Sequence, residues 1–129
     1  MSKKLFVMLV VCSAVTLLLA ACGTTGSDTS AAGNAVHMND TDFVQTSVMV
    51  KKGESLTLIT DTLTPHILAN GTWEHGTAKP ITEPGAPEVK GMQINGFSSG
   101  TIGPFNTAGT FTFYCTIHQG MNLTVVVEG

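Results

Sequence analysis

Residues 110–127 constrain the fold of this 129-residue chain more than any other stretch. In Thr110-Phe111-Thr112-Phe113-Tyr114-Cys115 the pattern has a period of two, so Phe111, Phe113 and Cys115 share one face of a strand. Leu123-Thr124-Val125-Val126-Val127 is rich in β-branched residues and reads as a second strand. Between them Cys115, His118 and Met121 fall at i, i+3 and i+6, a spacing that one helix face would also satisfy. Gly120 would weaken a helix, and both flanks are strand-like. The chain is therefore expected to end a strand at Cys115, turn tightly through His118 and start another strand just after Met121. Such a hairpin can wrap three donor side chains around one point.

The same period recurs upstream, where Leu56 and Leu58 face one way while Ser55 and Thr57 face the other. Further strands are expected at residues 36–38, 46–50, 66–69 and 92–95. Lys52-Gly53, Asn70-Gly71 and Ala108-Gly109 supply turn signals. Residues 72–91 contain Pro80, Pro84 and Pro87 with Gly76, Gly85 and Gly91, and read as one long ordered loop. Short strands, regular turns and no convincing amphipathic helix imply an all-β protein, an antiparallel β-sandwich.

The N-terminus has a different character. Met1-Ser2-Lys3-Lys4 precedes an apolar run from Leu5 to Ala21, and Leu19-Ala20-Ala21-Cys22-Gly23 resembles the lipobox of bacterial lipoproteins. That resemblance implies a signal peptide over 1–21, acylation of Cys22, and attachment to a membrane outside the cytoplasm. An uncleaved N-terminal helix is the alternative, and it too places the domain outside. Residues 22–33 carry no bulky apolar side chain and read as a flexible tether, leaving one folded domain over 34–129.

Cys12 falls within the signal and Cys22 is taken by the lipid, so Cys115 is left without a disulfide partner. In an oxidising compartment a lone thiol is protected by coordination to a metal. Without the nearby His and Met, an inert buried cysteine would be the better reading. Beyond the signal, four lysines stand against nine Asp and Glu, a net charge of −5, and the chain has no arginine. Nucleic-acid binding is excluded, because no basic footprint exists to neutralise phosphates. A basic patch on a redox protein would be attracted at long range.

His66, just after Thr64-Pro65 at the start of an expected strand, supplies a fourth donor. A thiolate, two imidazoles and a weak axial thioether are the donor set of a mononuclear blue-copper site. In that set Cys115 binds as thiolate, His66 and His118 complete a trigonal arrangement, and Met121 makes the long axial contact that favours Cu(I). Zinc is disfavoured, because thioether is a poor zinc ligand. His37, on an expected edge strand, and His75, beside Glu74, read as solvent-facing. Met38, Met49 and Met92 read as core filler. Trp73 either covers the metal end or packs in the sandwich.

The run from Phe113 to Met121 resembles the copper loop of the cupredoxins, notably plastocyanins and amicyanins. Pro65-His66 resembles their first histidine ligand, the stretch from Val50 to Leu56 their second-hairpin turn, and Gly109 matches as well. The resemblance spans about residues 36–127. It implies an eight-stranded Greek-key sandwich holding one Cu(I)/Cu(II) ion near one end. It further implies a monomer that carries single electrons between extracytoplasmic redox proteins. Transfer would run through the edge of His118, amid an apolar patch to which Pro65, Ile117 and Trp73 contribute. Two positions depart from the family pattern. Ile67 stands where cupredoxins commonly have an Asn that braces the ligand loop, although its backbone N–H is still placed to reach the Cys115 sulfur. Ile117 stands where many relatives carry Pro. No catalytic base, nucleophile or open coordination position is evident, so no enzyme is expected. A copper delivery or buffering protein of the cell envelope is the alternative. A sandwich that has lost its copper is disfavoured, since all four donors are retained.

Overall fold

A computed structural model describes residues 34–129; the expected signal, Cys22 and the tether lie outside the described residues. Nine strands and no helix form this part: β1 (Ala35–Met38), β2 (Ser47–Lys51), β3 (Leu56–Thr60), β4 (His66–Glu74), β5 (Thr77–Pro80), β6 (Lys90–Ile94), β7 (Ser99–Ile102), β8 (Gly109–Cys115) and β9 (Asn122–Glu128). β1, β3 and β7 make one sheet in that order. The other runs β2-β9-β8-β4-β5, with β6 also paired to β4. The expected all-β sandwich is present, though its pairing is mixed. β1 lies parallel to β3 and β2 parallel to β9, while the remaining pairs are antiparallel. The cause is topological: β1, β2 and β3 alternate between the sheets, so neighbours within a sheet are not hairpin partners.

Alternation builds the core. Leu56 and Leu58 of β3, Phe111 and Phe113 of β8, and Leu123, Val125 and Val127 of β9 all turn inward and are buried. Phe105 fills the space between them, with its ring 6.2 Å from that of Phe111 and 6.1 Å from that of Phe113. Each such side chain contributes roughly 1.5–3 kcal/mol by leaving water. Most of this scaffold energy therefore comes from residues that carry no metal donor. Met38 belongs to the core and Met92 packs against it, as expected, but Met49 is exposed. On β2 it is Val50 that faces inward, and its neighbour Met49 must face out.

Residues 72–91 are not one loop. β4 runs on to Glu74, and β5 returns along it after a two-residue turn at His75-Gly76. Both turn residues have positive φ, 48° and 79°, as a tight hairpin of this hand requires. β5 (Thr77-Ala78-Lys79-Pro80) escapes a pattern-based reading because it is an edge strand with no apolar alternation. Asn70-Gly71, expected as a turn, lies inside β4. The Asn70 side chain turns inward, accepting from the Val89 N–H and donating to the Pro87 carbonyl. Gly71, at φ 128°, is where β4 leaves β8 and β6 to pair with β5. A Cβ there would lie 2.2 Å from the Lys79 carbonyl oxygen, so only glycine fits. β7 was not foreseen either, since Ser99-Gly100-Thr101-Ile102 offers one large apolar residue and is extended by pairing with β3.

This topology brings the expected donors to one end. His66 opens β4, Cys115 closes β8, and β9 begins one residue after Met121. The pairing of Leu68 with Cys115 sets the first histidine beside the ligand loop.

Candidate metal centre

His66 and Cys115 are fully buried, Met121 is 1% exposed and His118 is half-buried. The ligating atoms of His66, Cys115 and His118 all lie within 4.8 Å of one another. Cys115 Sγ is 3.3 Å from His118 Nδ1, and the two imidazole centroids are 4.9 Å apart. Among the described residues this is the one group of three His, Cys or acidic side chains close enough to share an ion. His37 and His75 stand outside it. His37 Nδ1 lies 2.9 Å from the Asp61 carboxylate, and His75 is exposed in the β4–β5 turn.

The ligand loop is closed by its own backbone. The Cys115 N–H donates to the Met121 carbonyl at 3.0 Å, and the Met121 N–H donates to the His118 carbonyl at 3.2 Å. These bonds fold seven residues into a corner that turns His118 back over Cys115. From across the sheet, the Ile67 carbonyl accepts both the Thr116 N–H at 2.7 Å and the Thr116 hydroxyl at 3.1 Å. The side-chain brace expected to be absent at Ile67 is made good at Thr116 by a backbone carbonyl, which any residue supplies. Ile67 bonds this loop through its carbonyl, not through an N–H to the sulfur.

His66 is prepared for a metal. Its Nε2 lies 3.0 Å from the Asn39 carbonyl, which can only accept, so the ring proton sits on Nε2 and Nδ1 carries a lone pair. That Nδ1 is buried and without a hydrogen-bond partner. A buried unsatisfied nitrogen costs about 1–3 kcal/mol, and here it faces a free thiol and a second imidazole. Burial, reinforced by the nearby His118, pushes the His66 pKa below its ordinary value of 6.5, against the opposing effects of the Asn39 carbonyl and Asp40. The ring is thereby kept neutral, the form that ligates. The four side chains fit a soft ion such as copper: two neutral imidazoles, a thiol able to deprotonate, and a thioether at the base of the same loop.

Exposed apolar side chains lie on the segments that carry the donors or are tied to them. Leu63 is 81% exposed, Phe97 68% and Ile117 50%, and Pro65 is exposed beside His66. The Phe97 N–H donates to the Thr62 carbonyl at 2.9 Å, which ties the β6–β7 turn to the segment entering His66. Phe97 also has φ 52°, an uncommon conformation for an aromatic residue. Asp40 sits at the rim, accepting from the Thr64 hydroxyl at 2.8 Å. Hydrogen bonds from Thr64 and Thr62 lower its pKa, and the His66 and His118 rings add to that.

Trp73 joins the site from behind. Its Nε1–H donates to the Cys115 carbonyl at 2.8 Å, and its ring meets Tyr114 edge-on at 5.9 Å. Asn39, Thr116, Asn122, Leu63 and Phe97 carried no recognisable signal, because each acts through a backbone contact or through exposure that only the fold reveals.

Residues 30–128 match the family described as copper binding proteins, plastocyanin/azurin family. Among solved structures the chain is similar to amicyanin from Paracoccus versutus (Thiobacillus versutus), at 23% identity and a TM-score of 0.58, covering 78% of this chain and 86% of that one. It is also similar to the reduced state of a proline-to-phenylalanine mutant of amicyanin, at 23% identity and TM-score 0.57, covering 75% and 83%. A methionine-to-alanine mutant of amicyanin with Cu(I) matches at 22% identity and TM-score 0.57, covering 74% and 82%. No curated protein matches significantly. At these identities the likenesses bear on the fold.

Proposed function

Since the chain belongs to the plastocyanin/azurin family of copper-binding proteins, we propose that it carries single electrons between redox proteins outside the cytoplasm, held to a membrane by a lipid on Cys22. The observation that carries this reading is the buried donor set: a free thiol 3.3 Å from one imidazole nitrogen, facing a second imidazole whose buried Nδ1 has no partner. Bound copper supplies a one-electron Cu(I)/Cu(II) couple. The chain's own residues hold three donors in a closed loop and the fourth, His66, at the start of β4, so that little rearrangement accompanies a change of charge. His118 directs Nδ1 inward and is only half-buried, which makes its outer edge the shortest way from the donors to the surface.

Leu63, Pro65, Phe97 and Ile117 form the docking surface, small enough for the fast release a carrier needs. Its partner is basic. Asp40 and Asp42 lie in the loop that bonds His66, and Asp61 follows β3 at the same end. Lys51 and Lys52 lie at the opposite end of the sheet, where β2 meets the close of β9, Lys90 is paired with Glu88, and Lys79 is the one lysine on the β4–β5 hairpin. Voltammetry of the copper-loaded protein tests the reading. A reversible one-electron couple with fast exchange is expected. Redox-silent copper that passes readily to a chelator would instead mark a delivery protein.

A further inference from the structure

We propose that the β4–β5 hairpin is a strap that holds the ligand loop in its metal-binding shape before any metal arrives, with Trp73 and Asn122 as its positioning residues. The inference deepens the copper-site reading and rests on it for its purpose. Its geometry is independent.

Across the sheet, the Ile67 carbonyl holds the loop at Thr116 alone. Beyond Thr116, a loop with Gly120 at φ 83° has only the Cys115–Met121 and Met121–His118 backbone bonds to hold it from within. The hairpin supplies contacts from outside. At Gly71 the chain leaves the main sheet, and Trp73 is laid against Tyr114. Tyr114 alternates with Phe113 and Cys115, so it points away from the sandwich core, yet it is only 5% exposed. The indole covers it. From there the Trp73 Nε1–H reaches the carbonyl of Cys115, the residue that bears the thiol.

Asn122 closes the clasp at the other end of the loop. Its side-chain oxygen accepts the Trp73 N–H at 2.7 Å and its amide nitrogen donates to the Trp73 carbonyl at 3.0 Å. One carboxamide thus satisfies both backbone groups of a residue that has lost its strand partner on that side. Gln119 adds a third point, donating to the Gly76 carbonyl at the hairpin tip at 3.1 Å. The bonds land on residue 115 at the start of the loop, residue 119 within it, and residue 122, the first of β9 just after it. Residues that touched only Tyr114 would be packing; residues that clasp both ends of the loop set its shape.

The test uses the full chain without metal, so that it does not depend on redox activity. Amide hydrogen exchange at Thr116 and Met121 reads opening of the loop directly. Trp73→Phe keeps a ring over Tyr114 and removes the bond to the Cys115 carbonyl. Asn122→Ala removes the clasp on the Trp73 backbone. Each is expected to speed exchange at these two amides roughly fivefold or more while amides of β3 keep their wild-type rates. Copper-loaded samples should release the ion to a chelator faster by a similar factor, with a shifted visible band. Should either variant fail to fold, Gln119→Ala, at an exposed side chain, reads the same loop with a smaller acceleration. Wild-type exchange rates in the folded variants would overturn the strap. Failure of the wild-type chain to take up copper would overturn the copper reading and leave the exchange result to judge the strap.

Discussion

The two ends of the six-stranded sheet obey opposite rules. At the end remote from the donors, charged side chains face water and the backbone pays its own hydrogen-bond debts. There the Lys52 N–H bonds the Glu128 carbonyl, the Gly53 N–H bonds the Phe105 carbonyl, and the Phe105 N–H bonds the Glu54 carbonyl. Lys51, Lys52, Glu54 and Glu128 are exposed, while Phe105 is fully buried. At the donor end Asp40, Asp42 and Asp61 still face water, but beside them the partition fails. The polar atoms of His66 and Cys115 are buried, one of them unsatisfied, while Leu63, Phe97 and Ile117 stand in solvent. Where only folding is at stake the ordinary division of apolar and polar holds. Where a ligand must be bound and a partner touched, the chain violates it twice within a few residues, and stability comes from elsewhere in the fold.

That contrast is broken most sharply by one substitution at each kind of position. Cys115→Ala should abolish the blue thiolate-to-copper absorption altogether and cost the metal-free domain only about 1 kcal/mol. Leu58→Ala, in the core and away from the donors, should do the converse. It should lower unfolding free energy by about 2–5 kcal/mol, read in urea, while the molecules that remain folded keep the colour. Unfolding of Cys115→Ala would mean that scaffold and site are not separable.

A smaller effect separates the exposed apolar residues from the buried donors. Phe97→Ser or Ile117→Ser, which removes apolar contact without adding charge, should slow bimolecular electron transfer to a small basic redox protein about tenfold or more, with the reduction potential little changed. The wild-type rate with that partner should fall as ionic strength rises, and an acidic partner of similar potential should react more slowly. Equal rates with both partners would dispose of the acidic rim.

The smallest effect is a pH dependence confined to the metal-free protein. Because burial holds the His66 pKa below 6.5, the unfolded chain takes up a proton first as pH falls. The contribution of His66 to stability should be complete above pH 6.5, decline as pH drops toward the depressed folded value, and level off below it. Urea midpoints across that range should be flatter in His66→Gln. Parallel curves for the two proteins would contradict the assigned cause.

Much of this division was legible in the sequence. Strands with strict alternation, such as β3, β8 and β9, announce their inward faces, and the spacing of Cys115, His118 and Met121 between two of them already implies a corner. His66 was legible as a fourth donor from its place at the start of an expected strand, and the likeness of Pro65-His66 to a family pattern supported it. What escaped was set by tertiary pairing. β5 and β7 are extended because partners hold them there, and the sign of a turn at Asn70-Gly71 was false because Asn70 spends its side chain on the backbone at 87 and 89. The supports of the site escaped for the same reason. Asn39 and Ile67 act through carbonyls, and Asn122 clasps a residue 49 positions away. A local pattern cannot encode such contacts.

Titration of the metal-free protein with Cu(II), followed by visible absorption and metal analysis, addresses the central claim most directly. One copper ion per chain is expected, with an intense blue band that grows to that equivalence point and disappears on reduction. Colourless binding, or no stoichiometric uptake by folded protein, would contradict the assignment of His66, Cys115, His118 and Met121 as a blue-copper site.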